Sequence, residues 1–362
     1  MHEERQARVR KNLQAMGLTQ MLVVDPAAVM YLTGYENDPM ERFQALFVPV
    51  EGEPTLILNR LFPDPNAWEH PVTVLADTDD VVAPVAKLCD ADAPLGVDKA
   101  LPAKWLLPLM DAQAASGYVL ASSAVDDARA LKSPAEQDAM RRASALNDQG
   151  MAWLREQVRP GVTEREVAAA LEGRYQELGA EGNSFAPIVS FGANAADPHH
   201  EPDDTVLEPG MCALFDVGCR ADGYCADMTR TFHLGEPDEE FRRVYELVRE
   251  ANEAAEALVA PGVELAKLDR AARDVIERGG YGEHFTHRLG HFIGAEVHEP
   301  GDVSSNNHAV CEPGMCFSIE PGVYLPGRFG VRIEDLVLVT DDGCEVLNRY
   351  PKELQVVQPL VP

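Results

Sequence analysis

The chain has 362 residues, 46% of them hydrophobic and 25% charged, the composition of a globular protein long enough for two domains. Its 60 acidic residues against 31 Lys and Arg give a net charge of −29. That field repels phosphate backbones and anionic membrane surfaces and argues against nucleic acid or membrane as a partner.

The first 128 residues alternate helical and strand-like segments. A polar helix over Glu3 to Met16 leads into the apolar run Met21-Leu22-Val23-Val24, which Asp25-Pro26 ends. Leu46 to Val50 and Thr55 to Leu58 read as strands joined by the turn Glu51-Gly52-Glu53-Pro54. Val72 to Leu75, Leu95 to Val97 and Tyr118 to Leu120 are further strands, with helices over Val81 to Cys89 and Trp105 to Gln113. This is α/β patterning, one mixed sheet with helices against it, and it contains no catalytic constellation.

A second domain, residues 129–362, opens on Ser133-Pro134-Ala135-Glu136, where a Ser N-cap, a first-turn Pro and a capping-box Glu start a helix to about Val158. Thr163-Glu164-Arg165-Glu166 starts another, to about Leu178. The plan then repeats. Arg159-Pro160-Gly161-Val162 returns as Ala260-Pro261-Gly262-Val263 at an offset of 101 residues, and Glu208-Pro209-Gly210-Met211-Cys212 returns as Glu312-Pro313-Gly314-Met315-Cys316 at an offset of 104 residues. The latter offset carries Asp216 onto Glu320, and a short insertion carries Asp227 onto Glu334. A duplicated unit of this kind packs about a pseudo-twofold axis, with its paired acids converging there.

Asp216, Asp227, Glu320 and Glu334, together with His291 in Gly290-His291-Phe292, are a ligand set for two divalent cations. Four carboxylates gathered without cations would repel, and their pKa values would rise. Two divalent ions compensate that charge, and oxygen ligands with one nitrogen suit Mn, Co, Fe or Zn. Metals about 3.5–4 Å apart bring the pKa of water toward 7 and can hold a scissile carbonyl oxygen, so metal-assisted hydrolysis is the reaction class. His199, His287 and His298 lie in the same half and could orient substrate, stabilise an oxyanion or carry a leaving-group proton. Arg332, two residues before Glu334 and expected on the same strand face, could pair with the carboxylates or touch substrate. The seven cysteines include no Cys-x-x-Cys pair and read as reduced thiols of a cytosolic protein. The polar N-terminus and the lack of any run approaching 18 apolar residues agree with a cytoplasmic location.

These motifs resemble the pita-bread metallopeptidases, which include prolidase, aminopeptidase P and methionine aminopeptidase. The resemblance covers about residues 130–358 and rests on five ligands in order, in Gly-His, Glu-Pro-Gly and Arg-Ile-Glu-Asp contexts. Tyr31-Leu32-Thr33-Gly34 after Asp25-Pro26 resembles the creatinase-type N-terminal domain. The resemblance implies an α/β creatinase-like domain over 1–128 and an α+β pita-bread catalytic domain over 129–362. It implies that Asp216 chelates one metal, that Asp227 and Glu334 bridge both, and that His291 and Glu320 complete the second. It also implies Glu320 as general base and acid, His199, His298 and His287 as substrate- and oxyanion-binding groups, and a homodimer. The N-terminal domain argues against methionine aminopeptidase, and the intact ligands argue against creatinase.

The resemblance therefore points to cleavage of Xaa-Pro bonds in dipeptides or short peptides, which ordinary peptidases handle poorly because proline lacks an N–H and constrains its neighbours. Chain length favours an Xaa-Pro dipeptidase, with Xaa-Pro aminopeptidase as the alternative and a catalytically silent pita-bread binding protein as the distant rival. Two departures stand out. The ligand His is followed by Phe292 where the family usually has Gly, and a bulky ring there should reshape the pocket. Residues 299–319 contain no Arg or Lys, where many prolidases carry the arginine that binds the dipeptide carboxylate. The cation would have to come from elsewhere, such as Arg42 or a partner subunit.

Overall fold

The computed structural model describes residues 2–359. Two compact units divide the chain, one up to Arg129 and one from Ala130. None of the helices among the described residues is long and apolar enough to cross a membrane.

The first unit is built on a six-stranded mixed sheet in the order Val72–Leu75, Thr55–Asn59, Ala45–Pro49, Gln20–Val23, Leu95–Val97 and Tyr118–Leu120. The antiparallel hairpin of Ala45–Pro49 and Thr55–Asn59 sits where Glu-Gly-Glu-Pro predicts it. Period-two alternation divides the strands between two cores. Met21, Val23, Leu46 and Val48 join one with Val9 and Leu13 of the helix His2–Ala15, whereas Leu22, Phe47 and Ile57 join the other with Val85 and Leu109. Pro26 does more than end a strand. Asp25 accepts from Ala27 N–H and caps a short helix, Pro26–Thr33.

In the second unit the helices Pro134–Gln157 and Glu164–Leu178 begin at their capping boxes, with Glu136 accepting from Ser133 N–H and Glu166 from Thr163 N–H. They pack against an antiparallel trio, Ile188–Phe191, Cys212–Val217 and Met228–Leu234. The helices Glu239–Glu256 and Leu265–Arg278 precede a second such trio, Gly290–Phe292, Cys316–Ile319 and Asp335–Val339.

The duplication is visible bond by bond. Gly161 N–H donates to Leu207 O and Leu207 N–H to Val162 O; Gly262 N–H donates to Cys311 O and Cys311 N–H to Val263 O. At the two Glu-Pro-Gly-Met turns, Gly210 N–H donates to Leu234 O and Gly314 N–H to Val339 O. Those glycines have φ of 95° and 94°, the left-handed conformation that selects glycine at both copies. The seven cysteines are all free, and five of them are buried.

Candidate active site

The repeated turns launch the strands that carry the acids. Asp216 lies in the strand Cys212–Val217, and Glu320 directly follows its counterpart Cys316–Ile319. Asp227 and Glu334 stand one residue before the strands Met228–Leu234 and Asp335–Val339. His291 is the middle residue of Gly290–Phe292. Gly290 precedes it because a Cβ there would stand 1.9 Å from Ser318 O. Strand alternation sends the His291 and Phe292 side chains to opposite faces, across a register shift between the two residues. Phe292 therefore does not reshape the pocket. Its ring is 3% exposed, packs 5.6 Å from that of Phe317 in the core, and does not line the cavity.

The five residues meet on the wall of a cavity of about 690 Å³. Asp227, His291 and Glu334, all buried, present ligand atoms within 4.8 Å of one another. His291 Nε2 stands 3.5 Å from both Asp227 Oδ2 and Glu320 Oε1. Its Nδ1 lies 3.2 Å from Phe292 O, which can only accept, so Nδ1 carries a proton and Nε2 is the nitrogen that faces the acids. His291 N–H donates to Ser318 Oγ, whose hydroxyl donates to Glu320.

This donor set fits divalent cations. Burial, followed by the Asp216 and Glu320 charges, pushes the Asp227 carboxyl well above the usual carboxylate range. Burial and the same neighbours, with Asp227 foremost, do so for Glu334. Asp216 Oδ1 and Asp227 Oδ1 are buried with no hydrogen-bond donor among the described residues. Buried, mutually repelling carboxylates with orphaned oxygens are relieved by bound cations.

Arg332, 2% exposed, is committed to the acids. Its Nη2 donates to Asp216 Oδ2 at 2.6 Å, its Nε to Thr229 Oγ1 and its Nη1 to Tyr324 Oη, while Thr229 Oγ1 donates to Glu334 Oε2 at 2.7 Å. It does not share a strand with Glu334 as expected. The strand Phe329–Arg332 pairs with Gly322–Leu325, and Glu334 occupies the junction before the next strand.

All three further histidines line the cavity. His287 donates from Nδ1 to Arg288 O and accepts at Nε2 from Tyr324 Oη, which leaves neither nitrogen for substrate in this arrangement. Burial pulls its pKa down, in keeping with a neutral ring. The His298 ring packs edge-on against that of His291 at 4.3 Å, and burial first, then His291 and Arg288, lowers its pKa. His199 is exposed on the cavity wall.

Sequence reading missed two supports. Glu164 appears there only as part of a helix start, yet it is fully buried and accepts from Phe191 N–H, Asn194, Asp203 N–H and His200 Nε2 at 2.7 Å, so it ties down the loop that bears His199. Glu164, His200 and Asp203 also lie close enough to hold an ion, but Glu164 already has these donors. Tyr324, which joins Arg332 to His287, carries no signal in its spacing.

Comparison with known proteins places this geometry. The metallopeptidase family M24 matches residues 138–341, and the creatinase/prolidase N-terminal domain matches residues 5–131. The chain is similar to a probable dipeptidase PepE of Mycobacterium tuberculosis, 39% identical over 94% of this chain and 92% of the relative. In structure it is similar to dipeptidase PepE from Mycobacterium ulcerans, with TM-score 0.92 and 36% identity over 99% of this chain and 98% of the other. It is also similar to a recombinant prolidase from Thermococcus sibiricus, with TM-score 0.93 and 33% identity over 99% of each chain. The protein therefore belongs to metallopeptidase family M24, with a creatinase/prolidase N-terminal domain and the pita-bread fold.

Proposed function

We propose that this metallopeptidase is an Xaa-Pro dipeptidase that works with two divalent ions, best met by Mn, held by Asp216, Asp227, His291, Glu320 and Glu334. The observation that carries the reading is the buried Asp227, His291 and Glu334 cluster, with carboxyls pushed upward and oxygens unsatisfied, on the wall of a cavity wide enough for a dipeptide. Such ions, when bound, lower the pKa of water toward 7 and polarise a carbonyl.

The chain's own residues supply the rest. The Glu320 side chain is 16% exposed, against 5% for Asp227 and His291, and it faces the cavity beside the Ser318 hydroxyl. It is the acid placed to take a proton from the attacking water and return it to the leaving nitrogen. Arg332 fixes Asp216 directly and Glu334 through Thr229, so two of the ligands keep their aim without moving during turnover. His298, beside His291, and His199, on the opposite loop, are the imidazoles free to meet the substrate carbonyl. Phe185, Pro187, Ile188, Pro198 and Val297 give the cavity the apolar wall that a pyrrolidine ring needs.

The test compares Xaa-Pro dipeptides, matched Xaa-Pro-Xaa tripeptides and Xaa-Ala dipeptides in one Mn-supplemented assay, with metal content measured in parallel. Cleavage confined to Xaa-Pro dipeptides is expected. Preference for the tripeptides would select an Xaa-Pro aminopeptidase, and equal cleavage of Xaa-Ala would remove the proline requirement.

A further inference from the structure

The dipeptidase reading leaves one chemical need unmet. A dipeptide carries a free carboxylate on the residue just beyond the scissile bond, its carbon about 2.5 Å from the scissile nitrogen, so its counter-charge must sit close to the metal ligands. Arg42 is not free to supply it, being bound to Asp77 and Glu41.

Among the described residues, two arginines and no lysine line the cavity. Arg332 spends its Nε, Nη1 and Nη2 on Thr229, Tyr324 and Asp216. The other is Arg288, an exposed residue whose side chain has no hydrogen-bond or ion-pair partner among the described residues. Glu201 and Glu320 line the same cavity, and neither is paired with this guanidinium.

The backbone that presents Arg288 is held on both sides. Arg273 Nη2 donates to His287 O at 2.5 Å and its Nη1 to Phe285 O, while Asp269 Oδ1 accepts from Leu289 N–H at 3.1 Å. Asp269 and Arg273 are paired on one face of the helix Leu265–Arg278, and the Arg273 guanidinium covers the Phe285 ring at 4.2 Å. The free cation therefore projects from a fixed segment that runs straight on to His291.

We infer that Arg288 is the specificity-determining residue that binds the free carboxylate of a dipeptide substrate, in place of a cation between His298 and the Glu-Pro-Gly turn. This rests on the dipeptidase reading for its substrate, and its position explains how a cavity lined by five acids can accept an anionic peptide end. A guanidinium can take a carboxylate with two parallel hydrogen bonds, which a lysine cannot do.

The experiment uses full-length, Mn-loaded protein and pairs each free-acid substrate with its C-terminal amide: Xaa-Pro with Xaa-Pro-amide, and Xaa-Ala with Xaa-Ala-amide. Wild type should favour the acid by about 10–100-fold in KM, the worth of a charge-assisted bond. Arg288→Gln should lose that preference through KM with little change in kcat, and Arg288→Lys should recover part of it. Calorimetric titration with L-proline and L-prolinamide gives the same comparison without turnover, and melting curves verify that each variant is folded.

A wild type indifferent to acid or amide, or a preference that survives in Arg288→Gln, would overturn the assignment while leaving Xaa-Pro cleavage intact. Absence of Xaa-Pro cleavage, with an Arg288-dependent acid preference on Xaa-Ala, would instead overturn the proline reading and leave the clamp standing.

Discussion

The two copies inside the catalytic unit share a hydrogen-bond frame but use their acids differently. In the first, Asp216 is short, 12% exposed at its side chain and gripped by Arg332. Its counterpart Glu320 is one methylene longer, somewhat more exposed, and touched by the Ser318 hydroxyl. Strand pairing sets Phe191 opposite Ala213 and Phe292 opposite Phe317, so Ser190 holds in the first copy the place His291 takes in the second. The copies also brace each other. Arg230 of the first donates to Glu334 O and Asp335 Oδ1 of the second, while Arg332 of the second holds Asp216 and Thr229 of the first. Duplication supplied paired acids; divergence left Asp216 short and held by Arg332, and Glu320 longer and more exposed to the cavity.

Four measurements can break or sharpen that contrast. The largest effect is expected at the more exposed acid, Glu320. Glu320→Gln should lower kcat by about 10²–10⁴-fold with an unchanged circular dichroism spectrum, and substantial turnover would reduce Glu320 to a holder like Asp216. Next comes the brace: Arg332→Met should weaken metal binding by about 10–100-fold in a metal titration, with partial recovery in Arg332→Lys. Unaltered affinity would show that Asp216 needs no restraint.

The third concerns charge. Asp227 and Glu334 have folded pKa values raised by burial and by each other. Their contribution to stability is thus complete below the ordinary carboxylate range and is lost as pH rises through the raised values. Chelated protein should melt at a lower temperature at neutral pH than in mild acid, and Mn should erase that slope. A chelated protein insensitive to pH would mean that the acids do not repel.

The smallest effect lies behind the site. Lys352 serves both Asp335 and Glu256, and burial, aided by Asp335, raises Glu256 from 4.5 to about 7. Stability from Glu256 is present below pH 4.5 and lost as pH rises toward 7, so Glu256→Gln should flatten melting temperature across that window. No flattening would show that Lys352 alone compensates both acids.

Much of this was legible in the residues. Capping boxes at Ser133 and Thr163 mark where two helices begin, because the signal is local and chemical. The repeated Glu-Pro-Gly-Met strings align the acids, because a left-handed glycine is needed at both turns. What spacing could not show was direction. Phe292 reads as an intruder beside His291, but pleating turns it into the core, and Arg332 belongs to a different strand from Glu334. Glu164 and Tyr324 acquire roles only through partners tens of residues away, as the 36 residues between Glu164 and His200 illustrate.

By itself, then, the sequence determined which acids are paired by duplication and hence the class of chemistry, since a string of residues records composition and period. Only the tertiary structure decided which cations are already spent and which is free. Arg332 is locked to Asp216, while Arg288 faces the cavity with no side-chain partner among the described residues. That difference follows from folding, because whether a charge is available depends on what packing has placed within hydrogen-bond reach.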